Sequence, residues 1–189
     1  MDGQYQLRGM RVGAVIAVAA VAAFAVWYFA IRDTGSSGPS QATTTSAVQS
    51  IGAVEKSPGE IAGLAKKFHQ PIYWAGPQPN TKLEFTRTGN GATYVRYLPP
   101  GEKAGERKTG YLTVVTFPFK GAYEALKGLA KKGGRITDQV GNGGVVLTSK
   151  DSPHVYLGFK RVDYEIEVYD PDPARALSIG KSGVIRPIG

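Results

Sequence analysis

The sequence predicts an α+β fold: an N-terminal transmembrane helix, a linker, then an antiparallel sheet with helices packed on one face. Three observations predict it. Short runs that alternate apolar and polar residues recur between Lys82 and Tyr169, separated by turns rich in Gly, Asn and Pro. Segments with apolar residues at i, i+3, i+4 and i+7, such as Ile61, Leu64, Ala65 and Phe68, appear at intervals among them. Twenty uncharged positions, Val12 to Ile31, precede both. Strands joined by short turns pair antiparallel, and such sheets commonly bury one face under helices.

The apolar run comes first. At about 1.5 Å rise per residue, residues 12–31 span roughly 30 Å, the thickness of a bilayer's hydrocarbon core. Trp27 and Tyr28 lie where amphipathic rings favour the membrane boundary, and Arg11 and Arg32 bracket the segment. A cleaved signal peptide has a shorter apolar core and small residues at its cleavage site. Here Trp27-Tyr28-Phe29 stand in that place. Small residues four apart, Ala19 and Ala23, permit close helix approach, but arise by chance in so alanine-rich a stretch. Arg8 and Arg11 precede the run, whereas only Arg32 closely follows it. The positive-inside bias therefore places residues 1–11 in the cytoplasm and the remainder outside, at the plasma membrane.

Residues 32–56 read as a flexible linker. Its Asp33–Ser50 portion is small and polar, without a hydrophobic period, and would hold a domain on the order of 20–25 Å from the membrane. Residues 57–189 form the expected extracytoplasmic domain. Ser57-Pro58-Gly59-Glu60 is a capping box with proline at the first helical position, and Pro71 ends the helix it begins. Ile72-Tyr73-Trp74 is a short strand candidate. Lys82–Thr88 and Ala92–Leu98 form a hairpin about Gly89-Asn90-Gly91, where Asn-Gly tolerates positive φ. Pro99-Pro100-Gly101 closes it, and Glu102–Thr109 reads as a mobile loop. Tyr111–Phe117 is a more buried strand.

Phe119–Lys132 carries the clearest helical stripe, with Leu126 on the apolar side and Gly133-Gly134 as cap. Strands follow at Arg135–Val140, Gly144–Ser149 and Val155–Arg161. Asp163–Tyr169 alternates, with Tyr164, Ile166 and Val168 inward and the acidic groups outward. Asp172-Pro173 opens a last short helix ending near Gly180. The halves on either side of Pro118 share a rough pattern of elements without a residue-level repeat.

Composition excludes several chemistries. The chain of 189 residues has no cysteine, so disulfides, thiolate metal sites and a thiol nucleophile are absent. Net charge is +8, and the part from Ile51 onward holds 20 Lys/Arg against 13 Asp/Glu. A basic domain near a bilayer is drawn to anionic lipids or wall polymers, while an outside location disfavours nucleic acid as a partner.

Few motifs survive inspection. Gly180-Lys181-Ser182 lacks the upstream glycine of a phosphate-binding loop, Arg175 standing there, and it closes a helix instead of opening one. His69 and His154, the two histidines, lie far apart with no carboxylate at ligand spacing, so no metal or cofactor is expected. His69 is expected to cap a helix end and His154 to lie in an exposed loop. Asp163, Glu165, Glu167, Asp170 and Asp172 could suggest calcium, but the first three lie about 6.6 Å apart per two-residue step on one strand face. They read as a solvated face. No G-x-S-x-G elbow marks a hydrolase, and no catalytic residue is assigned. Tyr73, Trp74, Tyr94 and Tyr97 are the ligand-binding candidates, because aromatic rings stack on sugars or peptides; packing in the core is the competing explanation.

At Phe68–Gly76 (FHQPIYWAG), Tyr94–Gly101 (YVRYLPPG) and Tyr164–Pro173 (YEIEVYDPDP) the chain resembles an uncharacterised actinobacterial family. Its members are single-pass or exported proteins with an N-terminal apolar helix, a Ser/Thr linker and one small domain. The resemblance covers roughly residues 68–188 and implies that architecture, with no activity or binding residue. The expected function is a membrane-anchored binding or interaction module at the cell envelope, meeting a wall polymer or a membrane protein. An envelope hydrolase or transferase with a dispersed active site is the alternative. Titratable groups converging in one cleft would favour it.

Overall fold

A computed structural model describes residues 48–131, 135–140 and 143–189. The expected N-terminus 1–11, transmembrane helix 12–31 and linker as far as 47 lie outside these residues, as do Gly133-Gly134 and Gly141-Asn142. Among the described residues no helix is long and apolar enough to cross a membrane.

The first element is one the sequence did not announce. β1 (Ile51–Glu55) pairs antiparallel with β3 (Lys82–Arg87), so ordered structure begins inside the stretch expected to be linker up to residue 56. Arg87 fixes the approach to β1. Its Nη1 donates to the Gln49 carbonyl at 2.6 Å, its Nη2 to Gln70 Oε1 at 3.2 Å, and its guanidinium lies 4.1 Å from the Phe68 ring centroid.

α1 (Pro58–Phe68) begins as expected. Ser57 Oγ accepts from the Glu60 N–H and the Glu60 carboxylate accepts from the Ser57 N–H, satisfying two donors that a helix start leaves unpaired. His69 ends the helix through its backbone, with φ 49° and its N–H on the Ala65 and Lys66 carbonyls. β2 (Tyr73–Trp74) follows, then β3, β4 (Thr93–Leu98) and β5 (Thr113–Pro118). The β3–β4 turn is tied by Asn90, whose Oδ1 accepts from the Ala92 N–H, and Gly91 takes φ 84°. α2 (Ala122–Ala130) starts later than the expected Phe119, after Gly121 at φ 76°. β6 (Arg135–Val140), β7 (Gly144–Ser149), β8 (His154–Gly158) and β9 (Tyr164–Tyr169) complete the strands of the large sheet. In α3 (Pro173–Lys181), Asp172 caps the first turn by accepting from the Ala174 and Arg175 N–H groups. β10 (Arg186–Pro187) pairs with β2.

The eight strands form one antiparallel sheet in the order β1-β3-β4-β5-β9-β8-β7-β6. The chain meanders outward-to-centre through β5, crosses by α2 to the far edge, and meanders back to seat β9 against β5. Each half thus contributes four strands.

Side chains alternate between two faces. On one, which we call the core face, Phe85, Val95, Val114, Val168 and Val155 align across five strands, each with no exposed surface. Burying each stabilises the fold by about 1.5–3 kcal/mol relative to exposure. Ile61 of α1, Ala176 of α3 and the β2–β10 ribbon cover this row. The ribbon is pinned where the Tyr73 N–H donates to Thr116 Oγ1 at 3.0 Å.

The α+β class with an antiparallel sheet is as expected, but the helices do not all pack on one face. Leu126 of α2 packs with Val145 and Leu147, which point opposite to Val146 of the core face. The reason lies in β7: Val145-Val146-Leu147 is apolar on both sides and needs cover on both.

Candidate functional site

The second face carries the polar chemistry. Strand register sets three rows across it. Glu84, Arg96, Thr113, Tyr169 and His154 form one; Tyr94, Val115, Glu167, Tyr156 and Leu147 the next; Phe117, Glu165, Gly158 and Val145 the third. Directly opposite side chains in such a ladder have Cβ atoms about 4.5–5.5 Å apart, so neighbours in a row touch.

Two walls flank the centre of this face. One is the segment Pro99–Leu112, whose Glu102–Thr109 portion, expected to be a mobile loop, is pinned to the sheet. Arg96 donates to Glu84 Oε2 at 2.8 Å and to the Glu106 and Lys108 carbonyls, while the Gly105 N–H also reaches Glu84 Oε2. The other wall is α2, which approaches so closely that a Cβ at Gly158 would sit 3.0 Å from Tyr123 Cα. Asp163 secures its start by accepting from the Gly121 N–H at 3.2 Å. Between the walls lies a strip of the sheet bearing Tyr94, Phe117, Tyr156, Tyr169, Glu165, Glu167 and His154, which we call the trough.

The floor is electrostatically incomplete. His154 Nδ1 and Glu167 Oε1 lie 2.5 Å apart, and the His154 ring leans on Tyr169 with centroids 5.0 Å apart. Glu165 is 5% exposed and takes part in none of the ion pairs among the described residues. Burial, and after it the neighbouring Glu167 charge, push its carboxyl up to about 7. Burial also pushes the Tyr94 phenol up, with Glu167 adding to the effect. Tyr94 meets Phe117 edge to face, centroids 6.2 Å apart.

This arrangement corrects two expectations. Glu165 and Glu167 do not form a solvated face, because the second face is itself covered at both sides. His154 is not in an exposed loop; it opens β8 and pairs with a carboxylate. The signal was present in Val114-Val115 and Val145-Val146-Leu147, apolar runs that mark strands buried on both sides.

The four aromatic candidates separate. Tyr73 is buried and stacked on Phe159, ring planes 7° apart. Tyr97 is buried on the core face, its hydroxyl accepting from the Ala75 N–H at 2.8 Å and donating to the Gly76 carbonyl at 3.0 Å. Trp74 lines a groove of about 450 Å³ beside the start of α1, with Pro58, Pro77 and Leu83. The charged groups around that groove are already matched, Lys56 to Glu60 and Lys82 to Glu55. Of the four, Tyr94 alone stands on the second face, where the Glu167 charge reaches it and its ring meets Phe117, the residue opposite the unmatched Glu165; that difference favours the trough as the site.

Among the described residues no group of three or more His, Asp and Glu could hold a metal ion. Compared with family models, curated proteins and solved structures, the chain has no match in any of the three.

Proposed function

We propose that this chain is a membrane-anchored binding module of the cell envelope. Residues 12–31 lie in the plasma membrane, residues 1–11 in the cytoplasm, and the domain outside presents the trough to a wall polymer or membrane-protein partner. The anchor part of this reading rests on the uncharged twenty-residue run. The binding part rests on one observation: Glu165 is a buried carboxyl without a cation, on an aromatic floor between two walls. A desolvated charge is costly unless paired, and a bound partner can supply the pair.

The test is site-specific photo-crosslinking of the full-length chain in cells. A photoreactive residue at 169, on the trough floor, should capture a discrete partner, whereas one at 186, on the exposed β10, should not. Equal labelling from both positions, or none from 169, contradicts the reading.

One feature supports an envelope hydrolase or transferase as a second reading. Glu165 stays protonated up to about neutral pH beside Glu167, as a general acid beside a base requires. Product release from wall-derived glycan or peptide by the purified chain, abolished by Glu167→Gln, would establish it; binding without turnover favours the module.

A further inference from the structure

What the trough binds can be narrowed by its chemistry, on the reading that it is the binding surface. We propose that it receives an organic ammonium group, seated over Glu165 and Glu167 and enclosed by the rings of Tyr94, Phe117, Tyr156 and Tyr169. The two carboxyls of the floor, when ionised, repel anionic ligands. The nearby cations are engaged elsewhere: Arg96 holds Glu84 and the 99–112 wall, and Lys127 and Lys160 lie 5.8 and 5.9 Å from the Tyr123 ring centroid. His154 is engaged with Glu167. Among the described residues no cation forms an ion pair with Glu165, a buried carboxyl.

The shape of the cation follows from the spacing. Glu165 and Glu167 are two residues apart on one strand, about 6.6 Å between their Cα atoms, which is wide for one planar bidentate fork. A rounded cation with apolar substituents can lie between them and against π faces, which attract cations. Ammonium centres of this kind are carried by amino sugars, lysine-like side chains and amine headgroups.

Binding is then coupled to protons. Phe117 of β5 and Gly158 of β8 lie directly opposite Glu165, with Tyr123 of α2 against Gly158, and the charge that acts on Glu165 is that of Glu167 on β9. Glu165 is half protonated at about pH 7 when the trough is free, so seating a cation beside it expels a proton.

The experiment uses the full-length chain in a non-ionic maltoside detergent. Backbone amide NMR is followed while n-butylammonium chloride is added at constant ionic strength, with 1-butanol as the uncharged match. Butylammonium should give saturable shifts confined to β4, β5, β8 and β9, at least tenfold weaker at pH 5 than at pH 8. Glu165→Gln should weaken binding at least tenfold at pH 8, and Tyr94→Leu several-fold. Calorimetry in two buffers of different ionisation heat should show proton release near pH 7, lost in Glu165→Gln. Equal binding of 1-butanol, or unchanged affinity in Glu165→Gln, overturns the proposal. Failure of butylammonium with crosslinking from 169 intact overturns only the ammonium assignment; failure of both overturns the trough as a binding surface.

Discussion

The two faces of one sheet solve opposite problems with the same strands. On the core face, a row from Phe85 to Val155 is wholly apolar and wholly covered by α1, α3 and the β2–β10 ribbon. On the second face, α2 covers Val145 and Leu147, the 99–112 segment covers Glu84 and Arg96, and between them carboxylates and phenols remain half-covered. The first face holds the fold together. The second tolerates a buried, unmatched carboxyl that a core selected for stability alone would replace with an apolar residue. The difference teaches where stability ends and function begins.

Substitutions should separate the faces. Phe85→Ala, which hollows the core row, should cost about 3–5 kcal/mol in urea unfolding. Glu165→Gln should act in the opposite direction. Folding raises the affinity of Glu165 for its proton, so its contribution to stability is fully present below the ordinary carboxylate range and is lost as pH rises through about 7. The neutral amide escapes that loss. The variant should therefore match the parent at pH 4 and exceed it by up to about 3 kcal/mol at pH 8, read from unfolding at both pH values. A parent as stable at pH 8 as the variant would show that Glu165 is solvated.

Gly158→Ala tests the α2 wall. A methyl group there meets Tyr123 backbone at 3.0 Å, so α2 must lift, costing about 1–3 kcal/mol. Amide exchange should quicken in α2 while that of α1 and α3 is unchanged. The smallest effect is at the rim of the core face. Ser57→Ala removes one side of the capping box and should cost about 1 kcal/mol, with fraying limited to the first turn of α1.

Local chemistry made much of the fold readable. Ser57-Pro58-Gly59-Glu60, Asn90-Gly91 and Asp172-Pro173 act within four residues, and each forms the cap or turn its residue types require. What could not be read depends on partners distant in sequence. Ile51–Glu55 has little internal signal, and becomes a strand because β3 offers an edge. Sequence alone leaves Tyr73 and Tyr97 between ligand stacking and core packing; Phe159 and the backbone of Ala75 and Gly76 decide for packing. The acidic residues of β9 alternate as an exposed strand would, and only the return of the chain through α2 to the far edge gives their side a cover. Tyr94 was readable as a candidate; Glu165, Glu167 and His154 required the register of four strands.

The central claim is that the trough floor contains a buried carboxyl without a countercharge. It is tested most directly by titrating the Glu165 side-chain carboxyl by carbon-13 NMR in the ligand-free, full-length chain. The account predicts a midpoint at about 7. A midpoint in the ordinary glutamate range, about 4.3, would mean a solvated or already paired group, and would contradict it.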